Sequence, residues 1–264
     1  MTLDDVHIFC PTSPAPWHPS IDITRKALES VFEMLGGRPT VSIWCDFPAP
    51  WVTRKDAAAY WDYVTTLTRA RIGSVQVKAV WVGLVGLVRE FITDNEHPVV
   101  INWQHDWECL QPELVDAAAL VAEMCRPSSP VQYVRFHRRG LSIASAATYV
   151  KDSLVEAPLW EPIQAPHGLP LVPSNGWGDS PHFATRRHYH TLVRDHASSH
   201  TDASGRRGLE SRLGQAYKHA IREDGFRAAH LRWGSWFYGS LGDGPYVAHL
   251  GRAATKWRKK RMPA

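Results

Sequence analysis

The chain has few cysteines, no long apolar run and little excess charge of either sign. Each shortage closes off a class of protein. The four cysteines, Cys10, Cys45, Cys109 and Cys125, form no CxxC pair in 264 residues. That argues against a zinc ribbon or a disulfide scaffold and points to a reducing compartment. No run approaches the ~18 apolar residues of a membrane span. The opening MTLDDVHIFC lacks the basic stretch and apolar core of a secretory leader. The expectation is a soluble, cytoplasmic protein with no membrane span. Lysine and arginine total 30 against 26 acids, a net charge of +4. That balance tolerates an anionic partner without requiring one.

What is present is a core. Hydrophobic residues make up 44% of the chain, which excludes general disorder. The length suits one large α/β domain or two small ones. Twelve tryptophans supply rings for the core and for stacking on sugars or bases.

The first half reads as alternating strands and helices. Val6 to Cys10 is a β-branched and aromatic run that stops at Pro11, hence a strand. The segment from Pro11 to Pro19 holds four prolines and cannot be regular. Ile23 to Leu35 sets Leu28, Val31, Phe32 and Leu35 on one helical face, and Gly36-Gly37 ends it. Val41 to Cys45 is a second strand, with Asp46 at its end. Asp56 to Ala70 reads as a helix, Val75 to Trp81 as a strand, and Leu84 to Thr93 as a helix. Val99 to Trp103 is apolar except for Asn102, as in a buried central strand. It runs into Gln104-His105-Asp106, and a helix from Pro112 to Cys125 follows.

The second half is richer in Pro, Gly, Ser, His and Arg. Strands are expected over Val131–Phe136, Ser142–Ala147 and Trp233–Gly239, and helices over Thr185–His196 and Leu209–Ile221. Pro158 to Asp179 reads as loop. No internal repeat is visible.

The acidic end of the fourth strand is the most informative feature. A buried strand that delivers Asp106 into a turn can hold a divalent metal at the carboxyl edge of a sheet, where ligands bind. The alternative is that Asp106 caps the next helix.

With the Pro-rich opening loop Ser13-Pro14-Ala15-Pro16-Trp17-His18-Pro19-Ser20 and the strand end Gln104-His105-Asp106, the chain resembles the GT-A fold glycosyltransferases. It is similar to the broad family 2 neighbourhood and to a bacterial and phage subgroup within it. The resemblance continues at Gly178-Asp179-Ser180-Pro181-His182, Gly208-Leu209-Glu210, Trp236–Gly239 and His249-Leu250-Gly251-Arg252.

It implies an α/β fold with a GT-A-like, Rossmann-type mixed sheet flanked by helices and a loop-rich acceptor half. All 264 residues would form one domain: a nucleotide-sugar half (1–126), an acceptor half (127–252) and a basic tail (253–264). It also implies a donor site of Pro11, Thr12, Ser13, Pro14, His18, Asp46, Gln104, His105 and Arg252. Asp106 and His249 would hold Mn²⁺ or Mg²⁺. The family places an acid at the position of Gln104, so Asp106 is left as the one strong ligand there. The donor implied is a nucleoside diphosphate sugar, foremost a UDP-sugar.

Acceptor contacts would come from Trp177, His182, Arg206, Arg207 and Trp236. A carboxylate of raised pKa would serve as general base in an inverting transfer. Glu210 is the first candidate, with Asp179 as an orienting group. Each also has a plain structural role open to it: Glu210 as a first-turn helix residue, Asp179 as a turn former.

The acceptor expectation is 5-hydroxymethylpyrimidine in phage-type DNA, which would place the enzyme in a host cytoplasm. It rests on the resemblance to that phage subgroup, together with the arginines at 135, 138, 139, 186, 187, 206 and 207 and five cationic residues between Lys256 and Arg261, which suit a phosphate backbone. A glycan or small-molecule acceptor is the alternative. A non-catalytic nucleic-acid-binding protein and a zinc hydrolase built on His188 and His190 are the rivals from other classes. The sequence carries no reading of oligomeric state.

Overall fold

The computed structural model describes residues 3–12, 20–138, 140–141, 165–174, 177–178, 180–196 and 209–250. The expected strand Ser142–Ala147 lies outside them.

The opening is β1 (Val6–Thr12), α1 (Ile21–Leu35) and β2 (Thr40–Cys45). α1 buries Leu28, Val31, Phe32 and Leu35, the face read from its spacing. Gly36 closes it in the left-handed region at φ 65°. β1 runs two residues past the expected stop and includes Pro11. Phe9 turns its carbonyl toward Trp103, so Pro11, two residues on, faces the same side. Pairing with β4 ends at Phe9, and no ladder donor is needed at the proline.

Next come α2 (Arg54–Ala70), β3 (Ser74–Val77), α3 (Gly83–Asp94) and β4 (Val99–Asn102). Thr53 caps α2 by accepting from the Asp56 amide. β3 is shorter than the expected Val75–Trp81. It is an edge strand, and past Val77 the chain turns so that Val82 and Gly83 start α3. The segment 112–125 divides into a 3₁₀ turn (Pro112–Leu114) and α4 (Ala117–Met124), because Asp116 accepts from Ala119 N–H and restarts the helix.

Among the described residues, five elements lie outside the expected ones. β5 (Trp107–Cys109) pairs with β10 (Val247–His249). β7 (Leu171–Pro173) lies within the expected loop, β8 (His182–Thr185) precedes α5 (Arg186–His196), and α7 (Phe226–Trp233) follows α6 (Leu209–Asp224). β6 (Tyr133–Arg135) and β9 (Ser235–Tyr238) lie within the strands expected over Val131–Phe136 and Trp233–Gly239.

Among the described residues, a sheet of eight strands runs in the order β3-β2-β1-β4-β8-β6-β9-β7. β3, β2, β1 and β4 are mutually parallel, β8 is antiparallel to both β4 and β6, and β6 is parallel to β9. The fold is therefore α/β, a mixed sheet flanked by helices. Val6, Ile8, Val99 and Ile101 pack with Leu28 and Val31 of α1 and Tyr60 and Leu67 of α2 on one face. Phe9, Val100 and Tyr133 pack with Phe91 of α3, Tyr189 of α5 and Tyr217 of α6 on the other. Burial on both faces explains the unbroken apolar reading of β4.

Gly234 ends α7 at φ 56°, and a Cβ there would stand 2.6 Å from the Pro130 carbonyl oxygen and 2.7 Å from Gln132 Cγ. Gly234→Ala combines a left-handed penalty of about 1–2 kcal/mol with a backbone clash. It is expected to cost about 3 kcal/mol, read as a lowered urea midpoint with unchanged slope.

Candidate active site

Strand direction brings the chemistry to one edge. The carboxyl ends of β1, β2, β4, β6 and β9 and the start of β8 lie together. The order 3-2-1-4 reverses between β1 and β4, and in open α/β sheets ligands enter the crevice at such a switch point.

The crevice is braced by the turn after β4. His105 Nδ1 lies 3.4 Å from the Pro11 carbonyl oxygen, which ties that turn to the end of β1. Gln104 Oε1 accepts from Trp107 Nε1 at 3.0 Å, and Trp103 Nε1 donates to the Trp107 carbonyl at 2.8 Å. Gln104 thus serves to set the Trp107 ring. Burial holds the His105 imidazole below its ordinary pKa, so it is neutral.

The decisive contact spans the chain. β10 pairs with β5 in the register His249↔Trp107. His249 Nδ1 comes to 3.2 Å from Asp106 Oδ2, and its ring lies 3.7 Å, centroid to centroid, from that of Trp107. Leu250 N–H donates to the Asp106 carbonyl at 2.7 Å. Asp106 does not cap a helix: a strand follows it, and the cap of α4 is Asp116. A carboxylate beside an imidazole suits Mn²⁺ or Mg²⁺ when substrate phosphates and water complete the shell. No group of three or more His, Cys, Asp or Glu fit to hold a metal occurs among the described residues. The pair fits a metal that arrives with a diphosphate rather than a resident closed site.

Asp46 is buried at the end of β2. Its carboxylate accepts from Phe47, Val82 and Gly83 N–H at 2.9, 3.0 and 2.8 Å, which anchors the start of α3. Burial pushes its carboxyl above the usual carboxylate range, against the pull of those three donors. Thr12 is buried at the end of β1, and its carbonyl accepts from Asp46 N–H at 3.0 Å.

Beyond β4 a row crosses the sheet in register: Phe9, Asn102, His182, Arg135, Phe237. Asn102 Nδ2 donates to the Tyr189 hydroxyl at 3.2 Å, and that hydroxyl also bonds His182 Nε2. Trp177 stacks on Tyr133 at 5.7 Å, and both rings approach His182. His182 and Trp177 are thus brought together as the sequence reading grouped them, but both are buried. Burial pushes His182 down to about 3.

Trp236 does not belong with them. It is fully buried on the opposite face, and its indole donates to the Pro130 carbonyl at 3.2 Å, so it is a core residue and not an acceptor contact. His188 is buried and its helical neighbour His190 exposed, so the two cannot share a zinc ion. Glu210 is the second residue of α6, and its side chain lies outside the described ones. Ser13, Pro14, His18, Asp179, Arg206, Arg207 and Arg252 lie outside the described residues. Asn102 and Tyr189, which join His182 in this row, are not among the candidates the sequence offers. The one polar residue in the β4 run was the signal for Asn102, whereas Tyr189 had none.

No family model and no curated protein matches the chain. Solved structures give low-identity likenesses. The mannosyltransferase PcManGT from Pyrobaculum calidifontis, in complex with GDP-Man and Mn²⁺, aligns over 97% of this chain at 12% identity and a TM-score of 0.49. Glucosyl-3-phosphoglycerate synthase from Mycobacterium tuberculosis, in complex with Mn²⁺, uridine diphosphate and glucosyl-3-phosphoglycerate, aligns over 96% of this chain and 74% of its own at 13% identity and a TM-score of 0.44. CMP:2-keto-3-deoxy-manno-octonic acid synthetase, complexed with CTP, aligns over 97% of this chain and 95% of its own at 11% identity and a TM-score of 0.45. The chain spans 60% of the length of the mannosyltransferase. No described helix is long and apolar enough to cross a membrane. Identities of this size transfer no residue roles, and the site stands on its own geometry.

Proposed function

We propose that the protein is a nucleoside-diphosphate-sugar-dependent glycosyltransferase with a UDP-sugar as donor. The observation that carries this reading is the 3.2 Å contact of Asp106 with His249, set at the mouth of the β1/β4 crevice. The end of β1, Asp46 and the His105 turn would line the nucleotide site. Asp106 and His249 would hold Mn²⁺ or Mg²⁺, which when bound offsets diphosphate charge and stabilises the leaving UDP.

The acceptor hydroxyl oxygen forms a bond to the anomeric carbon as the bond from that carbon to the diphosphate oxygen breaks. UDP leaves with the bonding electron pair, and the hydroxyl proton passes to a carboxylate. Glu210 is proposed as that base in an inverting transfer, with Asp179 orienting the acceptor.

For the acceptor, a glycan or small molecule is favoured by the buried, polar character of the row at Asn102, His182 and Arg135. A hydroxymethylpyrimidine in DNA is supported by Arg138, exposed just past β6 on the same edge. Transfer of sugar to hydroxymethylated DNA, set against transfer to small hydroxyl compounds, separates the two.

The donor reading is tested by thermal unfolding with Mn²⁺ and UDP, GDP or CDP. A ligand at a hundred times its Kd stabilises the native state by about 2.7 kcal/mol. A Mn²⁺-dependent rise with UDP is expected. No rise with any of the three overturns the reading.

A further inference from the structure

The geometry points to Arg135, with His137 beside it, as the receptor for an oxyanion carried by the acceptor substrate. Arg135 is 6% exposed and His137 9% exposed. Two residues apart at the end of β6, they lie on the same side of the chain. Arg135 Nε and both ring nitrogens of His137 are buried without a hydrogen-bond partner. Arg135 forms no ion pair with a described carboxylate; its one packing partner for charge is the Phe237 ring, 4.5 Å from Cζ. The acid that faces His137, Asp243, is occupied by Ser240 N–H at 2.7 Å and the Tyr246 hydroxyl at 3.0 Å.

A buried guanidinium with no counter-ion among the described residues is costly, and structural arginines are paired. Its planar fork matches a carboxylate or phosphate. His137 is neutral, since burial pushes it down to about 4, so it can donate one N–H without adding charge.

Placement separates this site from the donor diphosphate. Arg135 stands two strands from Asn102 of β4, about 10 Å at the usual strand spacing. That separation, with His182 of β8 between them, sets the oxyanion site apart from the Asp106 end. The assignment to the acceptor, but not the oxyanion site itself, rests on the glycosyltransferase reading. It also moves Arg135 out of the surface cluster in which the sequence placed it: at this depth it meets a single group, not a polyanion.

The test is thermal unfolding of the whole chain at constant ionic strength, titrated with inorganic phosphate and, separately, acetate. A saturable rise is expected in the wild type, larger with phosphate if the acceptor carries a phosphate and larger with acetate if it carries a carboxylate. Arg135→Met keeps the stem and removes the charge. It is expected to melt at or above the wild type without anion and to lose the response, with at least a tenfold weaker apparent affinity. Arg135→Lys keeps part of the response and serves if the methionine variant folds poorly. An equal response in wild type and Arg135→Met, or no response to either anion in the wild type, overturns the site. The UDP and Mn²⁺ response of Arg135→Met is expected to match the wild type, and a tenfold weakening there overturns the acceptor assignment. Loss of the UDP response in the wild type itself sinks the donor reading, while the phosphate and acetate arms still decide this one.

Discussion

Asp106→Asn is expected to lower sugar transfer at least 1,000-fold, about 4 kcal/mol of barrier, while the protein stays folded. Asparagine keeps the size and the acceptor oxygen but removes the charge that a divalent ion needs. The backbone contact of residue 106, which accepts from Leu250 N–H, is untouched by the change. A fold readout accompanies the rate, because the Asp106 side chain is buried. The stabilisation by Mn²⁺ with UDP is expected to vanish in the same variant. His249→Phe retains a ring against Trp107 and removes the imidazole nitrogens. Its effect is expected to be smaller, about 10- to 100-fold, and to be eased by raised Mn²⁺ if the imidazole is a ligand. Turnover of Asp106→Asn within tenfold of the wild type removes the metal-diphosphate role from this residue.

The second large effect is on stability in acid. Burial pushes His182 and His188 down to about 3, and His7, His137 and His230 to about 4. In the unfolded chain each sits near 6.5. Below that pH the unfolded chain takes up protons that the folded chain refuses, so stability is lost as pH falls from 6.5 toward the folded values. Each group costs about 1.4 kcal/mol per pH unit in that window. His182 and His188 alone remove about 3 kcal/mol between pH 6.5 and 5, and the melting temperature should drop by roughly 6–12 °C. His188→Leu removes one such proton from the balance and should flatten the slope by about 1.4 kcal/mol per pH unit. A melting temperature that does not change between about pH 7 and pH 5 shows that these rings are not held buried and neutral.

Local patterning carried far in the first half of the chain. The opening strand, helix and second strand, the apolar face of α1, the buried β4 and the acidic turn after it follow from spacing and residue type. Neighbouring residues there decide each other's conformation, and both faces of the sheet are covered. The second half was less legible for a physical reason. β5, β7, β8 and β10 are three or four residues long, too short for a period, and each exists because a distant strand offers it hydrogen bonds. Arg135 reads in sequence as one of several surface arginines. Its depth is set by the neighbouring strands and by the Phe237 ring, none of which is near it in the chain.

The sequence by itself determined the α/β class, the helices with strong apolar periodicity and the edge of the sheet to which Asp46 and Asp106 are delivered, because these depend on short-range order and strand direction. Tertiary structure alone decided that Asp46 anchors α3, that Trp236 is core, and that Arg135 lies buried in a row with Asn102 and His182. It alone also fixed the contact of His249 with Asp106, 143 residues away. Those outcomes rest on which backbone groups find partners across the sheet, a matter of register and burial that one-dimensional spacing does not encode.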